Sequence, residues 1–248
     1  MKISVVTVCL NSEKTIRHTI ESFLAQTWSD KEMILVDGNS TDRTLEIVRS
    51  FGSREICISS QRDAGIYDAM NRGLKLYSGD AVGFLNSDDT FHDSMALRHI
   101  ARGLEDADAV YGDIVFVSDH RSKRRVRTWI AGHYRKGMFR RGWDAPHPTF
   151  YIRRRLADAV GFFDPRYGLS ADYDFMLRCF ELQKTTIGYL PHTLVDFMHG
   201  GSTTSSPARS ITGNLLCLKS RRQHLNSPPV DLALVLKPLR KLRQLHRL

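Results

Sequence analysis

Apolar and polar segments alternate regularly along the first 90 residues of the chain. Four apolar runs each end abruptly at a polar residue; they are residues 3–10, 33–36, 56–59 and 81–85. Between the runs, apolar residues recur at helical spacing, as at Ile16, Ile20 and Phe23. Buried strands that alternate with helices are typical of a parallel, doubly wound sheet, so the pattern predicts an α/β fold.

Beyond residue 90 the pattern is looser but still predicts several elements. We expect a helix around residues 94–104, a strand at 109–117, and a short strand that follows Pro146 and Pro148. A helix with Asp172 in or before its first turn comes next, and a later strand ends at a single histidine, His199. The basic stretch 120–145 is too irregular for an element to be predicted, and a solvated loop is the default interpretation.

The start of each early helix carries a capping signal. Asn11 and Ser12 follow the first apolar run, and Ser40 and Thr41 follow the second. Because their side-chain oxygens can accept an unpaired backbone N–H, these residues are predicted to cap the first and second helices.

Polar residues recur where the four predicted strands end; they are Asn11, Asp37, Asp63, Asp88 and Asp89. In an open α/β sheet the carboxyl ends of the strands border one crevice, where ligands bind. The adjacent carboxylates of Asp88 and Asp89 repel each other, so a positive partner is expected, most simply a divalent cation. Each residue taken singly is equally typical of a turn or a helix cap. The interpretation as a site therefore depends on the recurrence.

Motifs and charge exclude several classes of protein. Neither GxGxxG nor GxxxxGK[ST] follows a predicted strand, which argues against a dehydrogenase or a P-loop enzyme. The net charge of +9 is concentrated late in the chain: residues 121–155 hold 12 Lys and Arg against one Asp, and residues 219–248 hold 8 against one. The body before them is acidic, unlike that of a nucleic-acid-binding domain. We therefore expect an acidic body that recruits a metal, with basic surfaces that meet an anionic partner.

Cysteine usage and hydropathy bear on location. The four cysteines lie far apart, without a CxxC pair, which indicates reduced thiols in a cytosolic protein. The N-terminus reads as a first strand rather than a signal peptide. No segment approaches the ~20 apolar residues that span a bilayer.

Seven motifs, in order and at matching spacing, resemble the family 2 inverting glycosyltransferases of the GT-A fold. They lie at residues 5–11, 35–44, 63–73, 84–89 (FLNSDD), 147–150, 170–174 and 200–202. The resemblance covers about residues 2–205. Within the family, residues 65–71 (GIYDAMN) look most like the bacterial branch that builds exopolysaccharide, including the colanic-acid type, or O-antigen and glycolipid saccharides.

The resemblance implies a nucleotide side and a reaction side of the site. On the nucleotide side, Asp37 would bind the base and Asp88 would face the ribose. The remaining nucleotide contacts implied by the family are Thr7, Asn11, Arg62 and Asp63.

On the reaction side, Asp89 would hold Mg²⁺ or Mn²⁺ on the diphosphate, with His199 as a further metal ligand in some relatives. Ser87 replaces the first Asp of the family's DxD motif. Asp172 matches the catalytic base and Asp174 is the weaker match; His147 and Asp174 are assigned to the pocket for the donor sugar and the acceptor. Because Asp172 and Asp174 are two residues apart, they cannot share a helix face.

The implied activity is metal-dependent, inverting transfer of a hexosyl-type group from a nucleotide-diphosphate sugar to a hydroxyl of a saccharide or a polyprenyl or other glycolipid acceptor. Residues 1–205 would form the transferase domain, with a nucleotide-binding half (1–118) and an acceptor half (119–205). Residues 206–248 would form a basic helical extension. Its apolar stripe between residues 231 and 248 is expected either on an anionic membrane surface, the inner face of the cytoplasmic membrane, or against the protein's own body.

Two other functions remain open at this point. A nucleotidyltransferase also joins an α/β sheet to a metal carboxylate, but it usually needs a glycine-rich basic loop after its first strand, where this chain has Asn11-Ser12-Glu13-Lys14. A catalytically silent nucleotide-sugar-binding subunit is the other alternative, and Asp89 and Asp172 argue against it.

Overall fold

A computed structural model describes residues 1–199, 207–228 and 233 of the chain. The described part contains nine strands: β1 (Ile3–Cys9), β2 (Lys31–Asp37), β3 (Ile56–Ser60), β4 (Ala81–Phe84), β5 (Thr90–Phe91), β6 (Ala109–Val117), β7 (Arg125–Trp129), β8 (Tyr151–Arg153) and β9 (Ile187–Met198). Its α-helices are α1 (Ile16–Leu24), α2 (Thr44–Ser50), α3 (Ile66–Leu76), α4 (Ala96–Gly103), α5 (Arg154–Val160), α6 (Ala171–Leu177) and α7 (Pro207–Leu225).

The first four strands form a parallel sheet in the order β3-β2-β1-β4. All seven residues of β1 are buried, as its continuous apolar run predicts for a strand covered on both faces. Helices α1, α2 and α3 connect these strands, so the predicted α/β class is confirmed. The carboxyl ends of all four strands lie at one edge, which is the edge that a ligand site requires.

The second half of the sheet is mixed. Strand β8 pairs antiparallel with both β4 and β6, and β9 runs parallel to β6. Strand β5 pairs antiparallel with β9, and β7 pairs antiparallel with β6. This arrangement brings the end of β9 to the loop that follows β4.

The core lies on both faces of the sheet. One apolar cluster holds Val6, Ile34 and Phe84, and the other holds residues of opposite orientation such as Val5 and Met33. Helix α3 lies directly on β1, since a Cβ added to Gly73 would come 2.3 Å from Cγ1 of Val6. Only glycine allows this close approach of helix to strand.

The predicted helix caps are wrong. Helix α1 begins at Ile16 with Thr15 as its N-cap, and no side chain caps it. Asn11 instead adopts a left-handed φ of 51°, and its Oδ1 accepts the N–H of Thr41 at 2.9 Å. At α2 the N–H of Thr44 is bound by Asp42, not by Ser40 or Thr41. The polar residues at the strand ends bond to one another across the loops, and this competes with capping.

The basic stretch 120–145 contains a strand that the sequence did not predict. Strand β7 pairs with β6, and the Arg127 guanidinium lies 3.8 Å from the centre of the Phe116 ring. Helix α7 covers the start of the predicted extension, while the apolar stripe at 231–248 falls, apart from Ala233, outside the described residues. Among the described helices, none combines the length and hydropathy needed to cross a bilayer.

Candidate functional site: the strand ends and the cavity beside them

Asp37 ends β2 in the interior of the predicted nucleotide site. Its side chain is fully buried, and its carboxylate accepts hydrogen bonds from the Ser40 hydroxyl at 2.5 Å and the Ser60 hydroxyl at 2.6 Å. Burial alone would raise the pKa of Asp37. The hydrogen bonds from these hydroxyls and from the N–H groups of Asn39 and Ser40 outweigh it, so the pKa is lowered below its ordinary value and the group stays ionised. Direct contact between Asp37 and a nucleotide would require Ser40 to move aside.

Asp63 lies next to Asp37, as predicted for ends of neighbouring strands. A Cβ added to Gly38, the residue after Asp37, would come 2.6 Å from an Asp63 carboxylate oxygen. The guanidinium of Arg72 lies 3.9 Å from that same carboxylate and donates to the Asp37 carbonyl at 3.2 Å. Arg62, the predicted basic contact, is exposed. The structure therefore places Arg72 between the two acidic strand ends.

The loops after β1 and β4 also meet. The hydroxyls of Ser12 and Ser87 lie 2.9 Å apart, and the Asn11 N–H donates to Ser40 Oγ at 2.8 Å. Thr7 is fully buried within β1, and its hydroxyl has no hydrogen-bond partner among the described residues. Asn11 thus lies at the surface of this edge and Thr7 beneath it.

The acidic loop after β4 is held by the end of β9. Asp89 is 1% exposed; one of its carboxylate oxygens accepts the Met198 N–H at 2.9 Å, and the other accepts the Asn86 amide at 3.0 Å. Burial first, and the neighbouring charge of Asp88 second, hold the pKa of Asp89 well above its ordinary value. Burial also raises the pKa of Asp88. A buried carboxylate directly after a half-buried one is an electrostatically unfavourable arrangement.

This pair of carboxylates fits a divalent cation that arrives with a diphosphate. No Lys, Arg or His side chain in the described ranges forms an ion pair with Asp88 or Asp89. Within those ranges, no three His, Cys, Asp or Glu side chains are grouped closely enough to enclose a metal. Mg²⁺ sites commonly consist of one or two carboxylates completed by substrate phosphates and water. His199 follows Met198 and is exposed, and its role as a ligand stays a prediction.

A cavity of about 480 Å³ lies beside this edge and holds Asp172 and His147 among its lining residues. Phe197, the residue before Met198, also lines it. The next residue, Met198, donates its N–H to Asp89, so the cavity wall and the acidic loop are joined through neighbouring residues of β9. The predicted base and the predicted metal ligand therefore flank one region.

His147 is buried against the end of β4. Its ring stacks on Phe84 with centroids 5.3 Å apart and meets Phe163 edge-on at 5.8 Å. Its Nε2 has no hydrogen-bond partner within the described part of the chain. Burial lowers the pKa of His147, and the charge of Asp172 opposes that shift in part, so the imidazole is neutral at pH 7. A neutral imidazole here can donate or accept one hydrogen bond from a ligand.

Asp172 and Tyr67 form a second pair in the cavity region. Asp172 is half-buried in the first turn of α6. Burial, and then the charge of Asp172, raise the pKa of Tyr67, which lies on α3. The carboxylate therefore has a hydroxyl beside it and access to the cavity, as a general base needs.

The structure corrects the assignment of Asp174 to the pocket. Asp174 is fully buried and does not line the cavity. Two residues along an α-helix are rotated by about 200° around its axis, so Asp172 and Asp174 project from opposite faces. Its carboxylate accepts from Arg178 Nε at 2.8 Å and Ser220 Oγ at 2.8 Å, and it contacts His224 Nε2 at 3.0 Å. Asp174 joins helices α6 and α7 and does not line the cavity.

Helix α7 is attached to the segment that carries Asp172. The Ser170 hydroxyl donates to the Gly213 carbonyl at 3.0 Å, and Arg221 donates to the Tyr173 hydroxyl at 3.0 Å. Residues of α7 from Arg209 to Cys217 also line the cavity. The helix that begins just beyond the predicted domain boundary at 205 is thus part of the wall of the candidate site.

Sequence reasoning missed three contributors to the site: Arg72, Tyr67 and helix α7. The position of Arg72 could have been predicted from helical spacing, since it lies three residues after the buried Ala69 and therefore on the face of α3 that packs on the sheet. Tyr67 lies in the recognised motif but had no assigned role. The contacts of α7 join residues more than 40 positions apart, which local patterns do not report.

Comparisons with known proteins identify the family. The family model described as glycosyl transferase family 2 matches residues 4–161. A PGL/p-HBAD biosynthesis glycosyltransferase of Mycobacterium bovis is 31% identical over 209 residues, which cover 82% of this chain and 79% of that protein.

Two solved structures have the same fold. TarS 1–349 of S. aureus in complex with UDP-GlcNAc has a TM-score of 0.68 at 19% identity, covering 98% of this chain and 73% of that one. The mannosyltransferase PcManGT of Pyrobaculum calidifontis, in complex with GDP-Man and Mn²⁺, has a TM-score of 0.67 at 15% identity, covering 99% and 70%. At these identities the likeness concerns the fold alone. The family match, the relative and the shared fold show that this chain belongs to glycosyltransferase family 2, with a GT-A fold.

Proposed function

We propose that the protein transfers a hexosyl-type sugar, with inversion, from a nucleotide-diphosphate sugar to a hydroxyl of a saccharide or lipid-linked acceptor in the synthesis of a bacterial surface polysaccharide or glycolipid. One observation carries the proposal. The end of β4 touches both functional regions: Phe84 stacks on His147, and Asp89, five residues later, is held beside the cavity that Asp172 lines.

The donor nucleotide is assigned to the edge formed by β1, β2 and β3. Asp37 and Asp63 form one wall; Arg72 contacts the backbone carbonyl of Asp37 and the carboxylate of Asp63, and Asn11 lies at the surface of this edge. The ligands of the neighbouring folds support this class of donor, since TarS was solved with UDP-GlcNAc and PcManGT with GDP-Man. Arg62 and Asp88 complete the proposed contacts from the loops.

Asp172 is the proposed general base. In an inverting transfer, the acceptor hydroxyl attacks the anomeric carbon from the side opposite the leaving diphosphate, so one carboxylate must take the hydroxyl proton. Asp172 is open to the cavity and is not fully engaged by the fold, unlike Asp174. His147 orients the acceptor through Nε2, which has no hydrogen-bond partner among the described residues.

Asp89, with Asp88 beside it, is the proposed holder of a divalent cation. A bound Mg²⁺ or Mn²⁺ supplies charge stabilisation to the departing diphosphate, which then needs no general acid. The Mn²⁺ in PcManGT supports this choice of metal. His199 is the proposed additional ligand from the end of β9.

The experiment that tests the base is a screen of UDP-, GDP- and dTDP-sugars with Mn²⁺, comparing the wild type with Asp172→Asn. General-base catalysis is worth about 10²- to 10⁴-fold, so the variant should lose transfer by at least about 100-fold. Its affinity for the nucleotide should stay unchanged. Asp158→Asn, at an exposed carboxylate on α5, is the matched control.

Three outcomes separate the candidate functions. Transfer by Asp172→Asn at near the wild-type rate contradicts the assigned base. Nucleotide-sugar binding without turnover in the wild type, with any donor and acceptor tested, favours a silent binding subunit. Release of pyrophosphate from a nucleoside triphosphate and a sugar phosphate favours a nucleotidyltransferase. The configuration of the product anomer, read by NMR, tests inversion.

The proposed location is the cytoplasm, with peripheral attachment to the inner face of the membrane through residues 231–248. The basic and apolar composition of that segment supports the proposal. Flotation with anionic liposomes tests it, and equal behaviour of the full chain and a chain that ends at residue 228 contradicts it.

A further inference from the structure

The cavity lies on the acceptor side of the proposed base. Asp172 lines it, but none of the described strand-end residues assigned to the nucleotide, Asp37 and Asp63 among them, does so. Asp88 and Asp89 are also absent from its lining. Because the base takes a proton from the acceptor, the space that contains the base without the nucleotide residues is the space for the acceptor.

Apolar side chains contribute more of the walls of this cavity than polar ones do, although Arg127, Asp144 and Arg209 also line it. The apolar side chains come from separate parts of the fold and include Phe116, Trp129, Ile130, Met138, Trp143 and Met176. At the rim, the side chains of Ile130 and Leu169 are 45% and 37% exposed. A ligand made only of hydroxyl-bearing rings would leave much of this surface facing polar groups, while an apolar group would be favourably buried.

In the described part of the chain, two buried polar atoms of lining residues also lack a hydrogen-bond partner. Neither His147 Nε2 nor Thr128 Oγ1 has a hydrogen-bond partner among the described residues. His147 is only 8% exposed, so its Nε2 cannot be satisfied by bulk water. Buried polar groups are normally paired, and an orphan beside a cavity indicates a polar atom on the occupant. The lining of the cavity therefore fits an occupant with both polar and apolar parts.

We propose that the acceptor is an amphiphile: its nucleophilic hydroxyl reaches Asp172, a second polar atom meets His147, and an apolar aglycone, a ring or an alkyl chain, fills the space between Trp129, Ile130 and Met176. The inference rests on the proposed function, because it names the acceptor class of the same site. It assigns specificity to the apolar wall rather than to the catalytic groups.

Binding of three matched glycosides to the full-length protein tests the proposal without requiring turnover. The probes are methyl, phenyl and octyl β-D-glucopyranoside, used below micelle-forming concentration and titrated calorimetrically in the presence of Mn²⁺ and UDP. Each buried methylene is worth about a fourfold change in affinity, so at least one apolar glycoside should bind on the order of 10-fold or more tightly than the methyl glycoside. Preference for octyl identifies a lipid-like aglycone, and preference for phenyl identifies an aromatic one.

Two rim variants locate the binding. Ile130→Gln and Leu169→Gln, on two separate segments of the chain that line the cavity, should each weaken binding of the preferred apolar glycoside by about fivefold or more, since each removes apolar contact area, and leave the methyl glycoside unchanged. Ile58→Gln is the matched control, since Ile58 is 36% exposed on β3 and does not line the cavity. Because all three side chains are partly exposed, their replacement leaves the core intact.

The outcomes distinguish this inference from the proposed function. Equal affinity for all three glycosides, or tight apolar binding that neither rim variant weakens, overturns the inference even if the protein transfers sugar. Binding of an apolar glycoside that both rim variants weaken supports the inference even if the donor screen finds no transfer, and in that case the proposed function is what fails.

Discussion

At the residue scale, two aspartates of α6 have different environments although they are only two positions apart. Asp172 is half-buried and borders the cavity, while Asp174 is buried between Arg178, Ser220 and His224. The sequence predicted that the two could not face the same way and favoured Asp172. It could not reveal the partners of Asp174, because two of them lie on a helix that begins more than 30 residues later.

The contrast between these aspartates predicts that the same substitution changes folding stability by very different amounts. Asp174→Asn removes the charge that pairs with the largely buried Arg178, so it should lower the free energy of unfolding by about 3 kcal/mol. Asp172→Asn should change it by less than about 0.5 kcal/mol. Urea unfolding measures both values. Similar destabilisation by the two variants would show that Asp172 is also structural.

The surroundings of His147 predict a variant that separates its polar role from its packing. His147→Phe keeps an aromatic ring against Phe84 and Phe163 but removes Nε2. Since Nε2 has no protein partner in the described structure, folding stability should be nearly unchanged. The KM for the acceptor should rise by about 10-fold, the worth of one hydrogen bond. An unaltered acceptor KM in steady-state kinetics would exclude contact between His147 and the acceptor.

At the scale of elements, burial and periodicity predicted the strands well. Strand β6 has the predicted bounds, 109–117, and the first four strands differ from prediction by at most two residues at an end. Strand β7 was missed because two of its five residues are arginines, none is fully buried, and it has no continuous apolar run. The caps were wrongly predicted because Asn11 and Ser40 bond to neighbouring strand ends instead of to helix starts.

Helix α7 is the element whose function the sequence did not predict. Its contacts with residues 170, 173 and 174 flank Asp172 on both sides, so α7 fixes the orientation of α6. Ser220→Ala should cost about 1 kcal/mol of stability and lower kcat by severalfold without changing nucleotide affinity. Arg222→Ala, at an exposed position of the same helix, is the control. A loss of stability with unchanged kcat would limit α7 to a structural role.

At the scale of the whole molecule, ionic contacts join segments that are distant in sequence. The carboxylate of Asp196 on β9 contacts His92 Nδ1 at 2.5 Å and Lys123 Nζ at 2.7 Å. The hydrogen bond that His92 donates to the Asp196 carboxylate raises the pKa of His92 above its ordinary value of 6.5. These three charged groups stabilise the edge of the sheet at β5 and β9. Their residues are far apart in the sequence, so no local pattern predicts that they pair.

This contact predicts a pH-dependent effect on unfolding. Because the folded-state pKa of His92 is raised, its contribution to stability is complete below about pH 6.5 and is lost as the pH rises through the folded-state value. His92→Gln should therefore lower the melting temperature more near pH 6 than near pH 9. The His92 side chain is 39% exposed, so solvent screening limits the effect to about 1 kcal/mol or less. An equal loss at both pH values would contradict the charged pair.

The central claim is that the loops after the parallel strands hold one nucleotide diphosphate with its cation, beside the cavity that contains Asp172. Anomalous diffraction from crystals grown with Mn²⁺ and UDP tests this most directly. The account predicts a single manganese peak on the Asp89 carboxylate, with the uridine against the Asp37–Asp63 edge and the cavity left open. A peak at any other site, or a nucleotide that occupies the apolar cavity, would contradict it.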